Sequence, residues 1–187
     1  MIEFPKPYAD RVAKLRVPTG FLMVVAFAWF SHPTAGSLAA GFPISLVGLA
    51  LRAWAAGCLA KNQELATGGP YAYTRNPLYL GTLLVAAGLA IAARSIGFGV
   101  LFAAVFVLVY LPVIQLEEQH LRRLFAKYGG YAAEVPAFWP RLRARRSPGQ
   151  RISNPFRTSL YLTNKEYNAG AGFAAGVLFL LWKVVVR

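Results

Sequence analysis

The stretch L-A-T-G-G-P-Y-A-Y-T-R-N-P-L-Y-L-G, residues 65–81, separates two long apolar segments of the chain. It cannot cross a bilayer as one helix, because Gly68-Gly69-Pro70 breaks the chain and Pro77 keeps Asn76 out of helical geometry. Irregular backbone beside a membrane is tolerated only where protein or an aqueous cavity satisfies its polar groups. Residues 65–81 are therefore either a connecting loop with one snorkelling arginine, Arg75, or the wall of a site.

The composition indicates an integral membrane protein. Of 187 residues, 57% are hydrophobic and only 14% are charged, which is rare in a soluble domain. The net charge of +13 does not indicate nucleic acid, because the basic residues lie at the ends of apolar runs and no nucleic-acid motif accompanies them. Cys58 is the single cysteine, so an intrachain disulfide is excluded.

The predicted fold class is all-α, a polytopic membrane bundle of about five transmembrane helices. The predicted spans are residues 17–30, 42–60, 78–92, 98–116 and 169–186. The distribution of basic residues places the N-terminus and residues 65–81 on the cytosolic side and the C-terminus outside. Residues 31–41 and 94–97 then become exterior connections. The whole of 1–187 is predicted to be one membrane domain, with its motifs in 60–140 and a linker plus an extra helix in 147–187.

Beyond the fourth span the helix is expected to leave the bilayer. Pro112 predicts a kink, residues 117–127 are charged and periodic, and Tyr128-Gly129-Gly130 is expected to stop the helix. A run without acids follows, and residues 153–168 read as a linker. The run is interpreted as a juxtamembrane flank, with headgroup or substrate binding as the alternative. Its basic residues are Arg141, Arg143, Arg145, Arg146, Arg151 and Arg157.

Two blocks resemble the signature of the isoprenylcysteine carboxyl methyltransferase family and of related phospholipid methyltransferase-like membrane enzymes. The first block is Leu65-x-Thr67-x-Gly69-x-Tyr71-x-x-x-Arg75-x-Pro77-x-Tyr79-x-Gly81. The second is Glu117-Glu118-x-x-Leu121-x-x-x-Phe125-x-x-Tyr128-x-x-Tyr131, then Val135-Pro136 and Pro140. The resemblance implies a membrane-embedded enzyme that methylates a lipophilic acceptor with S-adenosylmethionine, bound in a cavity on the cytosolic side.

That cofactor carries an ammonium, a carboxylate, a ribose diol and an adenine. Glutamates suit the hydroxyls or the ammonium, an arginine suits the carboxylate, and tyrosines such as Tyr73 offer surfaces for the ring. The predicted cofactor contacts are Leu65, Gly69, Tyr71, Arg75, Asn76, Pro77, Tyr79, Glu117 and Glu118. The predicted catalytic residues are Arg75, Glu117, Glu118 and Arg141. The alternative interpretation is an ordinary helix end with surface carboxylates.

Methyl transfer is an in-line displacement that needs no metal, so the protein mainly aligns the reactants in a dry cavity. Two residues depart from the pattern that the resemblance implies. Asn76 stands where the family has histidine, and Glu134 stands where carboxylate-recognising members often have a basic residue. Arg141 and Arg143 could substitute for that basic residue. Both departures weaken the expectation of a prenylcysteine carboxylate as the acceptor.

Several alternatives stay open at this stage. Arg52, inside a predicted span, is either functional or neutralised by snorkelling or a partner within the bundle. The small residues of the second and third spans either leave room for a lipid tail entering from the bilayer or allow close helix packing. They are Gly48, Ala55, Ala56, Gly81, Ala86 and Gly88. His120 is expected on the aqueous face. The competing functions are an NADPH-dependent sterol or enone reductase, whose C-terminal pattern is similar, and a non-catalytic scaffold.

Overall fold

The computed structural model describes residues 4–145 and 155–186, and these ranges contain helices and loops but no strand. The predicted all-α fold class is confirmed. The helices are α1 Lys6–Ala13, α2 Arg16–Phe30, α3 Ala35–Gly57, α4 Pro77–Ala92, α5 Ile96–Val105, α6 Leu111–Leu124, α7 Tyr128–Glu134, α8 Thr158–Thr163 and α9 Tyr167–Val185. A 3₁₀ turn, Gly69–Ala72, precedes α4, and a π-helical stretch, Phe106–Tyr110, joins α5 to α6.

Three of the described helices are long and apolar enough to cross a membrane: Ala35–Gly57, Ile96–Leu124 and Tyr167–Val185. The pair α1 and α2 would make a fourth span, bent by 60°. The apolar helix α4 has 16 residues, fewer than the ~20 that a straight span needs. The predicted count of five is therefore approximate, since α2 and α4 are apolar but short.

The second span begins earlier than the sequence predicts. Residues 35–41, expected to be an exterior loop, are the first two turns of α3. A reciprocal cap begins this helix: Ser37 N donates to Thr34 Oγ1 at 3.2 Å, and Thr34 N donates to Ser37 Oγ at 2.9 Å. Pro43 lies inside the helix and conceals this start in the sequence, because proline usually marks a helix boundary.

Glycines bring α3 and α4 into backbone contact. A Cβ atom placed on Gly48 would lie 2.7 Å from the carbonyl oxygen of Gly81, and one placed on Gly81 would lie 2.8 Å from that of Gly48. Gly41 and Gly88 make an even closer pair two helical turns further along. These glycines therefore pack helix against helix, as small residues do in membrane bundles. At these contacts, which form a glycine seam between α3 and α4, the alternative that the small residues leave room for a lipid tail is wrong.

Pro112 is accommodated without a break in the long helix Ile96–Leu124. A proline has no backbone N–H, so the carbonyl of Leu108, one turn earlier, loses its usual helical partner. The Tyr8 hydroxyl, on α1, donates to that carbonyl at 2.8 Å. Gln115 fixes α1 further by exchanging two hydrogen bonds with the backbone of Phe4. Next to Pro112, where the sequence predicts a kink, the long helix contains a π-helical stretch that contacts with α1 support.

Two boundaries after the long helix also differ from expectation. The helix ends at Leu124, and Tyr128-Gly129-Gly130 begins α7 instead of stopping the preceding helix. The predicted linker contains α8, and the last apolar helix begins at Tyr167, two residues before its predicted start. Arg146 and Arg151 of the basic run, with residues 153 and 154 of the linker, lie outside the described residues.

Candidate functional site

One end of the bundle contains a partly open cavity of about 990 Å³. It lies where α3 ends, α4 begins and α6 projects toward α7, and residues 59–66 and 164–169 complete its walls. The volume is at the upper end of the ~300–1,000 Å³ typical of small-molecule sites. Of the predicted cofactor contacts, Leu65, Tyr71, Arg75, Tyr79 and Glu117 line this cavity.

Arg75 and Glu118 form an incompletely satisfied ion pair at the cavity. Arg75 Nη2 lies 3.2 Å from Glu118 Oε1, and both side chains are nearly buried. Arg75 Nη1 donates to the carbonyl of Ala132 at 3.2 Å. However, Arg75 Nε and Glu118 Oε1 are buried without a hydrogen-bond partner among the described residues, because the pair is close but misaligned. Buried polar groups are normally satisfied, so these atoms have capacity left for a ligand.

Tyr79 and Glu117 join the two sequence blocks a second time. The Tyr79 hydroxyl donates to Glu117 Oε1 at 2.9 Å, and the Tyr79 ring packs edge-on against Tyr110. Glu117 and Glu118 are adjacent on α6 and therefore point about 100° apart. Glu117 faces the cavity, whereas Glu118 turns toward Arg75. The structure thus brings the predicted Arg75, Glu117 and Glu118 together at one end of the bundle.

Tyr71 presents an unsatisfied hydroxyl at the cavity. The residue is 6% exposed, and its hydroxyl has no hydrogen-bond partner in the part of the chain that the structure describes. Its own carbonyl accepts a hydrogen bond of 2.8 Å from the Tyr131 hydroxyl, which fixes the turn against α7. Burial raises the pKa of the Tyr71 hydroxyl far above its usual range, and the charges of Glu117 and Glu166 raise it further. Tyr71 is therefore a neutral donor at neutral pH.

Tyr128 stands behind the Arg75–Glu118 pair. Burial raises the pKa of its hydroxyl to about 12, and the Glu118 carboxylate adds to this shift, while Arg75 lowers it. Its ring is almost completely buried in a cluster with Tyr131 and Val135. The second block therefore supplies both the carboxylates and the aromatic packing that positions them.

Five predicted site residues do not line the cavity: Glu118, which pairs with Arg75, and four residues that hold the loop in place. Gly69 has φ +56° and lies against α3, where a Cβ atom would be 2.8 Å from Cys58 Sγ. Asn76 Nδ2 donates to the carbonyl of Ala137 at 3.1 Å, and Pro77 is buried as the first residue of α4. Arg141 N donates to the carbonyl of Tyr73 at 3.0 Å.

The Arg141 side chain lies on the outside of this loop structure. Its Nη1 donates to the carbonyl of Glu134 at 2.8 Å, and the Glu134 carboxylate receives a fork from Arg145 at 2.7 and 3.1 Å. The Arg145 guanidinium, chiefly through these hydrogen bonds, holds the pKa of Glu134 below its usual value. Arg141 is thus positioned to brace the loop, away from the cavity lining.

Arg52 has a partner within the bundle, as one of the two alternatives predicts. Its Nε and Nη2 donate to the two carboxylate oxygens of Glu166 at 2.6 and 3.0 Å. Its Nη1 donates to the hydroxyl of Thr82 and to the carbonyl of Leu78. Arg52, Thr82 and Glu166 all line the cavity.

Sequence reasoning misses Glu166 as the partner of Arg52 at the cavity. The sequence contains a signal for this pairing. An arginine inside a span requires a counter-charge, and Glu166 is the only acidic residue after Glu134. Next to it, Asn164 Nδ2 donates to the carbonyls of Ala56 and Leu59 at 2.9 Å each. His120, expected to face water, is exposed and contacts Asn62 Oδ1 at 3.2 Å at the rim of the cavity.

The fold and this cavity define a helical membrane protein with a charged, aromatic-lined site at one end. Residues 48–128 match the model of the phospholipid methyltransferase family, which includes isoprenylcysteine carboxyl methyltransferase-like membrane enzymes. The predicted resemblance is confirmed over this segment. The matched family implies a membrane methyltransferase, and the matched segment contains Arg52, Arg75, Glu117 and Glu118.

Two curated relatives share this region. The cobalt-zinc-cadmium resistance protein CzcN of Cupriavidus metallidurans is 40% identical over 82 residues, which is 44% of this chain and 38% of the relative. The nickel-cobalt-cadmium resistance protein NccN of Alcaligenes xylosoxydans xylosoxydans is 40% identical over 87 residues, 46% of this chain and 41% of the relative. The matches thus span about two fifths of the length of each relative. No solved structure matches the chain.

Proposed function

We propose that the protein is an S-adenosylmethionine-dependent membrane methyltransferase acting on a lipophilic acceptor, and that the 990 Å³ cavity binds the cofactor. One observation carries the proposal. Two sequence blocks of the matched family, about forty residues apart in the chain, converge through Arg75–Glu118 and Tyr79–Glu117 at this cavity. A loop or a helix end with surface carboxylates would not require these contacts.

The residues at the cavity fit the groups of the cofactor. Arg75 keeps an unused buried N–H that suits a carboxylate, and the Tyr71 hydroxyl is an unused buried donor. Glu117 offers a carboxylate for an ammonium or for ribose hydroxyls, while Tyr79 and Tyr110 offer aromatic faces for a ring or a cationic sulfur. The donor set therefore suits a ligand with a zwitterionic amino-acid group and an aromatic base.

When bound, S-adenosylmethionine supplies a methyl group that is transferred with loss of the sulfonium charge. The chain then has to align the acceptor, exclude water and accept any proton that the acceptor loses. Glu117 lies at the cavity and can take a proton from an amine or a thiol, whereas a carboxylate acceptor needs no base. Glu118, turned toward Arg75, serves to position that arginine.

The acceptor and the orientation follow from the membrane setting. The cavity lies at the end of the bundle where the basic residues Lys61, Arg75, Arg141 and Arg145 occur, so we place it on the cytosolic side. A lipophilic acceptor would enter from the bilayer, but not through the closed glycine seam between α3 and α4. The names of the relatives favour a physiological role in metal resistance, which growth of a deletion strain in cobalt, zinc and cadmium would test.

The direct test is binding of radiolabelled S-adenosylmethionine and of NADPH to the purified full chain in detergent. We expect binding of the first compound, lost by at least tenfold in Glu117→Gln, because a charge-assisted hydrogen bond contributes about 1.5–3 kcal/mol. Glu134→Gln is the matched control, since that carboxylate lies outside the cavity lining. Binding of NADPH alone would indicate a reductase, and binding of neither compound would favour a scaffold.

A further inference from the structure

The Arg52–Glu166 pair lines the part of the cavity between α3, α4 and the start of α9, which is called the deep end below. Arg52 is five residues before the end of α3, and Thr82 is five residues after the start of α4. At 1.5 Å per residue, both lie about 7–8 Å inside the bundle from those helix ends. The side chains of Arg52 and Glu166 are 22% and 10% exposed, so solvent screens their charges weakly.

The corner between α8 and α9 is built to hold Glu166 in place. Asn164 binds two carbonyls at the end of α3, and Arg157 N donates to the carbonyl of Gly57 at 2.8 Å. Lys165 has φ +53°, a conformation that costs free energy for a residue with a side chain and persists where the surroundings impose it. These ties direct the Glu166 carboxylate onto the Arg52 guanidinium.

This corner lies outside the family segment. The family match ends at residue 128, yet residues 164–169 form part of the cavity wall. The family segment supplies the motif residues that we assign to the cofactor, whereas the corner adds a carboxylate specific to this part of the chain. Lys61 and Lys165 also line the cavity but are exposed, so water screens their charges. The deep end therefore carries one cation and one anion in direct contact.

We propose that the Arg52–Glu166 pair makes the deep end of the cavity electrically neutral and thereby selects acceptors whose head group has no net negative charge. This inference rests on the proposed function, because it takes the ligand at the deep end to be the methyl acceptor. The bidentate geometry uses both carboxylate oxygens, and the two N–H donors of Arg52 Nη1 go to Thr82 and Leu78. An anionic head group would have to displace Glu166, whereas a neutral head group would not.

The test uses lauric acid and its primary amide, which share a tail and differ in charge above neutral pH. Equilibrium binding of each probe to the full chain in non-ionic detergent needs no turnover. We expect wild-type protein to bind the amide about tenfold more tightly than the carboxylate, and Glu166→Gln to reverse that preference, because an unpaired Arg52 attracts an anion. The double variant Arg52→Gln/Glu166→Gln should bind both probes about equally.

Lys183→Met is the matched control. Lys183 Nζ ties the far end of α9 to the carbonyls of Ala28 and Ser31 at 2.7 and 2.9 Å, away from the cavity. A reversed preference in Lys183→Met too would assign the effect to anchoring of α9 and overturn the inference.

An unchanged ratio of amide to carboxylate affinity in Glu166→Gln overturns the inference as well, as does a wild-type chain that binds neither probe. If Glu166→Gln does not fold, retained amide preference in the double variant overturns it. Cofactor binding is measured separately, so failure of the proposed function remains distinguishable.

Discussion

The two sides of the cavity each contain a buried arginine–glutamate pair, and the pairs are built differently. Arg52–Glu166 is a fork with two hydrogen bonds, and Arg52 Nη1 also donates to Thr82 and to the carbonyl of Leu78. Arg75–Glu118 makes one ionic contact at 3.2 Å, and Arg75 Nε and Glu118 Oε1 are buried without a hydrogen-bond partner among the described residues. The same two residue types therefore form a closed arrangement on one side and an incomplete one on the other.

The difference separates a pair that is completed within the protein from a pair that a ligand can complete. A buried pair repays its desolvation only when its geometry is good and its remaining donors are satisfied. Arg52–Glu166 meets this condition in the protein alone, so it stabilises the corner between α8 and α9. Arg75–Glu118 does not meet it, and a ligand that supplies the missing partners would complete it. Variants on the two sides should accordingly affect different measurements.

The largest expected effect is on stability at the closed pair. Arg52→Met should lower the free energy of unfolding by about 3–5 kcal/mol, because it leaves the Glu166 carboxylate buried without its cation. Denaturant or thermal unfolding of the purified protein in detergent measures this loss. Arg75→Met is the comparison on the other side and should cost clearly less. Equal destabilisation by the two substitutions would show that the pairs do not differ as described.

The incomplete pair should affect binding more than stability. Glu118→Gln removes the charge that positions Arg75, so we expect affinity for S-adenosylmethionine to fall by about 1.5–3 kcal/mol, roughly ten- to a hundredfold. Isothermal titration of the purified chain measures this change. Glu166→Gln serves as its counterpart and should alter cofactor affinity by less than the Glu118 variant. Wild-type affinity in Glu118→Gln would remove the pair from the proposed site.

Sequence reasoning works well where local chemistry carries the information. The apolar segments predict the all-α fold, and the two charged and aromatic blocks predict which residues meet, namely Arg75, Glu117 and Glu118. It fails at the start of α3, since Pro43 disguises a helix that Thr34 and Ser37 cap upstream. Propensity cannot show that a membrane helix continues through a proline.

Long-range pairing is the second limit of the sequence. Arg52 signals that it needs a counter-charge, but its partner Glu166 lies 114 residues away, in a stretch that reads as a linker. Gly69 and Asn76 illustrate the converse, because a motif identifies them without distinguishing cavity contact from loop packing. Only the folded chain shows that both brace the loop that presents Tyr71 and Arg75.

The comparison between satisfied and unsatisfied buried groups also applies to the hydroxyl of Tyr71. Tyr71→Phe removes a buried donor that has no hydrogen-bond partner among the described residues, so we expect unliganded protein to gain about 1 kcal/mol of stability while cofactor affinity falls. Tyr131→Phe is the matched control, because its hydroxyl donates to the Tyr71 carbonyl and its loss should destabilise the protein by about 1 kcal/mol. Thermal unfolding with and without cofactor measures both effects. A destabilised Tyr71→Phe that binds the cofactor normally would contradict the role assigned to this hydroxyl.

The smallest expected effect concerns a third arginine–glutamate pair, Arg145–Glu134, which is forked like the closed pair but exposed. The Glu134 side chain is 51% accessible, so water screens the interaction and only a small contribution to stability is expected.

Because the hydrogen bonds from Arg145 lower the pKa of Glu134 from its usual 4.5, the folded protein binds the proton less well than the unfolded chain. The stabilisation is therefore fully present above the usual pKa and is lost as the pH falls through the lowered value. Melting temperatures of wild type and Glu134→Gln should differ slightly at neutral pH and converge below that value. A difference that persists in acid would mean that the fork acts through packing against Tyr131, over whose ring the Arg145 guanidinium lies, and not through charge.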